Sequence, residues 1–170
     1  MITIDDPLVA RVAALGDALR ARRWHLATAE SCTGGLLAGT CTAPAGASDW
    51  FDAGFVTYAN AAKSGLLGVP DALIARHGAV SAEVADAMAR GALAHANVQL
   101  ALSITGVAGP GGGSAAKPVG TVWLGLAWTR DGGDVASRTE RLQLDGDRAA
   151  IRSQTVAIAL ERLIDVASAP

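Results

Sequence analysis

The amino-acid sequence predicts an α/β fold, a three-layer α/β/α sandwich around a mixed, mostly parallel sheet. Segments of strand length alternate with longer segments whose apolar residues recur at helical spacing, and this alternation is typical of a sheet covered by helices on both faces. The strand-like segments 119–128 and 134–144 follow one another directly, so we expect a mixed sheet. No internal repeat or linker interrupts the chain, and we expect one domain over residues 1–170.

The first half of the chain supplies two strands and three helices. Residues 7–22 predict an amphipathic helix because apolar side chains recur at Leu8, Val12, Leu15 and Leu19. A short strand over 24–29 then leads into a second helix that starts near Ser31. A β-branched and aromatic strand covers 51–58, and Asn60 is expected to cap a short third helix that contains Lys63.

The second half completes the sheet and its helical layers. Ser81 is expected to cap a helix whose packed side chains include Val84, Met88 and Leu93. The apolar run 98–104 predicts a buried strand, 119–128 another, and 134–144 a more exposed one. Asp147 is expected to cap the last helix, with Val156, Leu160 and Leu163 facing the core.

Composition argues against several classes of protein. Hydrophobic residues make up 51% of the chain and charged residues 18%, as in a globular protein, and the net charge of −2 does not suit a nucleic-acid or membrane-surface binder. Two cysteines, Cys32 and Cys41, provide neither a disulfide framework nor a metal-binding pattern. The N-terminus does not resemble a signal peptide, and we expect a cytoplasmic protein with no nucleic-acid or membrane partner.

Three polar segments lie where predicted strands end. They read AESCTGG (29–35), TYANAAK (57–63) and SITGVAGPGGGSAAKPVGT (103–121). Ligands of open α/β sheets tend to bind where strands pass into loops and helix N-termini. We therefore expect the three segments to form one site.

Ser31 admits two interpretations. Serine is a common N-cap, although Gly34 occupies the position where a capping box requires Glu or Gln. Alternatively Ser31 is a nucleophile, since the small residues that follow would let a substrate approach and free N–H groups at the helix start would hold an oxyanion. This segment alone leaves both open.

A serine nucleophile needs a base, and lysine is a better candidate than histidine. His25, His77 and His95 are scattered, occur in no recognisable motif and do not have the spacing of a zinc site. Lys63 falls in the first turn of its predicted helix, where the helix dipole disfavours the ammonium form. The phenol of Tyr58 would relay a proton or hold the lysine amine, unless Tyr58 is simply an aromatic residue at a strand end.

The glycine-rich third segment matches no nucleotide-binding fingerprint. Its successive N–H groups would form an anion-binding nest, or the glycines would form a mobile turn. Lys117 adds a positive charge, Thr105 and Gly106 would help bind the reacting group, and Arg148 is a candidate phosphate ligand.

Five segments together resemble the competence/damage-inducible CinA C-terminal domain family. They are TAESCTGG (28–35), GFVTYANAAK (54–63), HGAVSAEVADAMARGAL (77–93), ITGVAGPGGGSAAKPVGTVW (104–123) and GDR (146–148). The resemblance covers nearly the whole chain, and all positions of the family's Ser, Lys and Tyr pattern are occupied.

The resemblance implies a Ser/Lys amidohydrolase that converts nicotinamide mononucleotide to nicotinate mononucleotide and ammonia, without a metal or an organic cofactor. Ser31 would be the nucleophile, with Lys63 and Tyr58 as its proton-transfer partners. The substrate-binding candidates are Cys32, Thr33, Gly34, Gly35, Asn60, Thr105, Gly106, Gly109, Gly111, Gly112, Lys117 and Arg148.

Three other functions stay open at this point. The chain could be a non-catalytic nucleotide-binding or regulatory module related to competence or DNA damage. It could be a serine amidase that acts on another carboxamide, since pocket shape decides ring recognition. Cys32 could be the nucleophile, although it lacks a histidine partner and buried free cysteines are usually structural. We also expect a homo-oligomer, as for many small enzymes.

Overall fold

A five-stranded sheet forms the middle layer of the protein. The structure, a computed structural model, describes residues 6–169. The strands are β1 (Leu26–Glu30), β2 (Phe51–Val56), β3 (Leu100–Gly106), β4 (Thr121–Thr129) and β5 (Val135–Gln143). Their order across the sheet is β2-β1-β3-β4-β5, so β2 and β5 are the edge strands.

The sheet is mixed, as the sequence predicts. Strand β1 pairs in parallel with both β2 and β3, whereas β3 with β4 and β4 with β5 are antiparallel. Strand β5 is antiparallel to β4 and therefore runs in the same direction as β1, β2 and β3. Only β4 runs in the opposite direction, so most strands of the sheet are parallel. The carboxyl ends of β1, β2 and β3 consequently meet at one edge.

Helices cover both faces of the sheet. The helices are α1 (Asp6–Arg22), α2 (Leu36–Cys41), α3 (Asn60–Leu67), α4 (Asp71–His77), α5 (Ala82–Ala96) and α6 (Arg148–Ser168). Side chains of α1, α2 and α6 share one hydrophobic cluster, and those of α3, α4 and α5 share the other. None of these helices has the length and apolar character that crossing a bilayer would require.

The two faces of the sheet differ in side-chain size. Large residues such as Leu26 and Leu102 pack toward α1 and α6, while alanines fill the face under α5. A Cβ atom at Gly125 would lie 2.3 Å from the carbonyl oxygen of Ala85, and Ser103 donates to that oxygen at 2.6 Å. Small residues therefore let α5 approach the centre of the sheet closely.

Of the caps expected at Ser81, Asp147 and Asn60, the first two are confirmed and the third is wrong. Ser81 Oγ accepts the N–H of Val84 at 3.3 Å, and Asp147 Oδ1 accepts that of Ala150 at 2.8 Å. Asn60, in contrast, is the first residue of α3, and Ala59 occupies the cap position without a side-chain bond. Lys63 nevertheless lies in the first turn, as predicted. Helix α4 is absent from the sequence prediction because it has only 7 residues.

Candidate active site

A cavity of about 300 Å³ opens at the edge where the parallel strands end. Ser31 follows β1, Lys63 comes from the helix after β2, and Thr105 and Gly106 end β3. The predicted site residues that line the cavity are Ser31, Cys32, Tyr58, Asn60, Lys63, Thr105, Gly106, Gly109, Gly111, Gly112 and Arg148. The fold thus joins the three polar segments, as expected, whereas the histidines do not contribute to the lining.

The amine of Lys63 contacts the hydroxyl of Ser31. Lys63 Nζ lies 3.1 Å from Ser31 Oγ, and it donates to the carbonyl oxygens of Thr57 at 2.9 Å and Tyr58 at 3.2 Å. The residue is only 1% exposed. Three neutral oxygen atoms therefore hold the amine of a buried lysine at a fixed position beside the serine.

Burial lowers the pKa of Lys63 below the ordinary value for lysine. Removal from water penalises the ammonium form, and a smaller electrostatic effect of Cys32 acts in the opposite direction. The hydrogen-bond partners of Nζ are carbonyl and hydroxyl oxygens, which carry no full negative charge. Burial therefore shifts Lys63 toward its neutral, proton-accepting form.

The side chain of Tyr58 points to Arg148 and not to the lysine amine. Arg148 Nη2 donates to Tyr58 Oη at 3.0 Å, and Arg148 Nη1 donates to the carbonyl of Gly109 at 2.8 Å. Tyr58 holds Lys63 through its main-chain carbonyl instead. The guanidinium thus links the loop before α3 to the glycine-rich loop, and the expected contact of the phenol with the lysine does not occur in this arrangement.

Ser31 is not a helix cap, so of the two interpretations that its sequence leaves open the N-cap one is wrong. Helix α2 begins at Leu36, with Gly35 at the cap position. The intervening turn requires backbone φ angles of +60° at Gly34 and +93° at Gly35, which favour glycine. Ser31 therefore belongs to the turn between β1 and α2, and its hydroxyl is available to Lys63.

The carboxylate of Glu30 satisfies the N-terminus of α2. It accepts the N–H groups of Gly35 at 3.2 Å, Leu37 at 3.0 Å and Ala38 at 2.8 Å, and the residue is 1% exposed. Sequence reasoning missed this residue. Two sequence features could have indicated it. An acidic residue ends a buried strand directly before the serine, and glycine occupies the position where a capping box would supply a carboxylate.

Two main-chain donors of the serine turn bind no other residue of the described chain. Gly34 N–H donates to the Ser31 carbonyl, and Gly35 N–H to Glu30. Within residues 6–169, the N–H groups of Cys32 and Thr33 form no hydrogen bond to another residue. Of the free N–H groups expected at the start of this helix, the structure therefore leaves these two.

Four of the predicted binding residues lie outside the cavity lining. Thr33 is fully buried, and its carbonyl accepts a hydrogen bond from Arg152 Nη2 at 2.8 Å, while Gly34 and Gly35 shape the turn. Lys117 Nζ donates to the His77 carbonyl at 2.7 Å and borders a different cavity. Lys117 lies outside this cavity because the glycine-rich loop folds back before it, with Ser114 N–H bonded to the Lys117 carbonyl.

Cys32 lines the cavity with only 6% of its surface exposed. Burial raises the pKa of its thiol to about 11, because desolvation penalises the thiolate. Across the described part of the chain, no group of three His, Cys, Asp or Glu side chains is arranged to hold a metal ion.

Comparisons with known proteins give a consistent result. The model of the CinA C-terminal domain matches residues 9–167. The nicotinamide-nucleotide amidohydrolase PncC of Pseudomonas putida is 52% identical over 161 residues, which is 95% of this chain and 98% of the relative. The protein of the same name from Escherichia coli strain K12 is 48% identical over 94% of each chain. The crystal structure of competence/damage inducible protein CihA from Agrobacterium tumefaciens superposes with a TM-score of 0.89 at 40% identity, covering 99% of this chain and all of that one.

Proposed function

The chain belongs to the CinA C-terminal domain family, and on that premise we propose that Ser31 and Lys63 hydrolyse the carboxamide of nicotinamide mononucleotide. Relatives about half identical over nearly their full length are named nicotinamide-nucleotide amidohydrolases, and the chain is an amidohydrolase of this kind. The products are nicotinate mononucleotide and ammonia. The Ser/Lys mechanism is our proposal for this chemistry.

The contacts of Lys63 Nζ carry the proposal. A neutral amine has two N–H donors and one lone pair. The carbonyl oxygens of Thr57 and Tyr58 can accept the two N–H groups, so the lone pair is left for the third contact, the hydroxyl of Ser31 at 3.1 Å. In the neutral state the Ser31 O–H then donates to Lys63 Nζ, which is the arrangement a general base requires.

The reaction proceeds through an acyl-enzyme. Ser31 Oγ attacks the carboxamide carbon while Lys63 Nζ takes the hydroxyl proton. The carbon–nitrogen bond then breaks, and the ammonium of Lys63 returns the proton so that ammonia leaves. Water next attacks the ester carbonyl and gives one proton to Lys63, which passes it to Ser31 Oγ. The product departs as the carboxylic acid and loses its remaining proton to solvent.

Two further parts of the cavity suit the substrate. The main-chain N–H group of Cys32, a residue of the cavity lining, is the candidate oxyanion donor, and such a donor is commonly worth ~3 kcal/mol in the transition state. Arg148 and the glycine loop at Gly109, Gly111 and Gly112 lie on the same cavity and are the candidate phosphate ligands. Tyr58 contributes through the carbonyl that holds Lys63 and the phenol that holds Arg148.

Ammonia release from nicotinamide mononucleotide by the purified chain tests the proposal. We expect Ser31→Ala and Lys63→Ala each to abolish release, whereas Lys117→Ala, a lysine outside the cavity, retains it. Free nicotinamide should be a poor substrate because it lacks the ribose phosphate. Wild-type release from Ser31→Ala would reject the nucleophile.

Failure of the folded wild type to release ammonia would favour the non-catalytic nucleotide-binding module instead. The cytoplasmic location and homo-oligomeric state expected from the sequence stay predictions.

A further inference from the structure

We propose that Glu30 is a positioning residue for the nucleophile, holding the Ser31 turn through the start of helix α2. This inference rests on the proposed function, since it assigns Glu30 a part in aligning Ser31 with Lys63. Glu30 is the last residue of β1 and precedes Ser31 directly, but its side chain turns away from the cavity and binds the helix behind it.

The Glu30 carboxylate is fully engaged with main-chain donors. Oε2 accepts the N–H groups of Gly35 and Leu37, and Oε1 accepts that of Ala38. The residue is 1% exposed, and a buried carboxylate needs such partners. The negative charge also lies at the positive end of a helix, where it is favourable. These bonds tie the end of β1 to the residues that follow the turn.

The main chain at Glu30 and Ser31 is held by the neighbouring strands. Ser31 N–H donates to the Ile104 carbonyl at 2.9 Å, and the Glu30 carbonyl accepts Thr57 N–H at 2.8 Å. The carbonyl of the same Thr57 accepts from Lys63 Nζ. The backbone that carries the serine and the residue that holds the lysine are therefore joined by one hydrogen bond.

The Ser31 turn is consequently restrained at both ends. It begins at a residue bonded into the sheet and ends at Gly35, which is bonded to the Glu30 carboxylate. Arg152 adds a third restraint in the middle through the Thr33 carbonyl. Every restraint leaves the N–H groups of Cys32 and Thr33 unused. Loss of the carboxylate should release the turn and misalign both the Ser31 hydroxyl and the Cys32 N–H group.

Misalignment should reduce turnover more than substrate affinity. The candidate phosphate ligands, Arg148 and the glycine loop, have no hydrogen bond to Glu30, so binding of the nucleotide is expected to survive. A displacement of about 1 Å in a reacting group can reduce the rate about 100-fold. A purely structural cap would instead lower stability and leave kcat unchanged at temperatures where the protein is folded.

The test compares Glu30→Gln and Glu30→Ala with Cys41→Ala in the full chain. Cys41 is fully buried in helix α2 and forms no hydrogen bond with the Ser31 turn or with the Glu30 carboxylate, so its truncation controls for lost helix packing. Steady-state kinetics with nicotinamide mononucleotide are measured well below each melting temperature. We expect kcat to fall about tenfold in Glu30→Gln and about 100-fold in Glu30→Ala. KM should stay within about twofold, and Cys41→Ala should lose thermal stability with wild-type kcat.

A second readout follows Ser31 without the nucleotide. The rate at which a fluorophosphonate labels Ser31 should fall in the Glu30 variants in parallel with kcat, while Cys41→Ala labels normally. Wild-type kcat in folded Glu30→Ala would overturn the inference. So would a Glu30→Gln protein that loses its fold together with its activity, because the carboxylate would then act on folding and not on Ser31.

The proposed function is tested separately by Ser31→Ala in the same assays. Unchanged turnover in that variant would reject the Ser/Lys mechanism whatever the Glu30 variants do. An inactive Ser31→Ala beside a fully active Glu30→Ala would reject only the positioning role.

Discussion

Arg148 Nη2 donates a hydrogen bond to Tyr58 Oη across 3.0 Å, at the mouth of the candidate active site. The phenol is part of a residue that is 59% exposed, while the second guanidinium nitrogen is held by the Gly109 carbonyl. Tyr58 therefore orients a cationic group over the cavity, and its phenol contacts Arg148 and not the amine of Lys63.

Tyr58→Phe should consequently affect binding more than chemistry. The substitution removes the phenol oxygen but keeps the main-chain carbonyl that holds Lys63. A hydrogen bond to a charged group is worth roughly 1.5 kcal/mol, so we expect KM to rise by up to about tenfold. Steady-state kinetics should show kcat within about threefold of wild type. A loss of two orders of magnitude in kcat would contradict this and return the phenol to proton transfer.

Arg148→Gln should raise KM for the nucleotide by about tenfold or more, because a charge-assisted hydrogen bond contributes about 1.5–3 kcal/mol. Lys117→Gln is the matched control, since its amine is bonded to the His77 carbonyl outside the cavity. Nicotinamide riboside, which lacks the phosphate, should show no difference between wild type and Arg148→Gln. An equal loss with the riboside would show that Arg148 does not act through the phosphate.

The activity should increase with pH as Lys63 loses its proton. Burial lowers the pKa of Lys63, and only the neutral amine accepts the serine proton. In the free enzyme, kcat/KM should therefore rise with pH up to this lowered pKa and level off above it. Lys63→Arg keeps a permanent charge, and we expect it to lose about 100-fold or more at every pH. A kcat/KM that falls with rising pH across the neutral range would contradict the assignment.

Two helical glycines should respond in opposite ways to alanine. A Cβ atom at Gly65 in α3 would meet no atom within 4 Å, so Gly65→Ala should stabilise the protein by about 0.5–1 kcal/mol. A Cβ atom at Gly91 would lie 2.1 Å from the Leu67 carbonyl oxygen, and Gly91→Ala should cost about 1–3 kcal/mol. Urea denaturation measures both. Equal stability of the two variants would show that α5 does not restrain the end of α3.

Cys32→Ser should keep most of the activity. Serine is nearly isosteric with cysteine, and the raised pKa of the thiol leaves it a poor nucleophile at neutral pH. We expect kcat within about fivefold of wild type, because the main-chain donor at this position is preserved. Abolished turnover, with Ser31→Ala still active, would make Cys32 the nucleophile.

Patterns local in sequence predicted most of the fold. Apolar spacing located α1, α5 and α6, and short side chains that cap their own helix identified Ser81 and Asp147. The mixed sheet followed from consecutive strands without a helix between them. Each of these features depends on residues that are a few positions apart, so it could be predicted from a single sequence.

The features that the sequence did not predict depend on the conformation of the loops. Ser31 resembles a cap in sequence, but the cap comes from Glu30, whose side chain reaches donors up to eight residues ahead. Lys117 lies in the segment that contains the glycines, yet the fold of that loop directs its amine to the end of α4. The meeting of Ser31 with Lys63, in contrast, was predictable because strands that run in parallel bring their carboxyl ends to one edge.

The raised pKa of Cys32 also bears on survival under oxidants. With a pKa of about 11 the thiol stays protonated at pH 7, whereas peroxides and alkylating agents react with the thiolate. If this thiol were ionised, its oxidation or alkylation beside Ser31 would inactivate the enzyme. An amidase built on serine and a buried, protonated thiol should keep working under oxidising conditions that inactivate hydrolases with a catalytic cysteine.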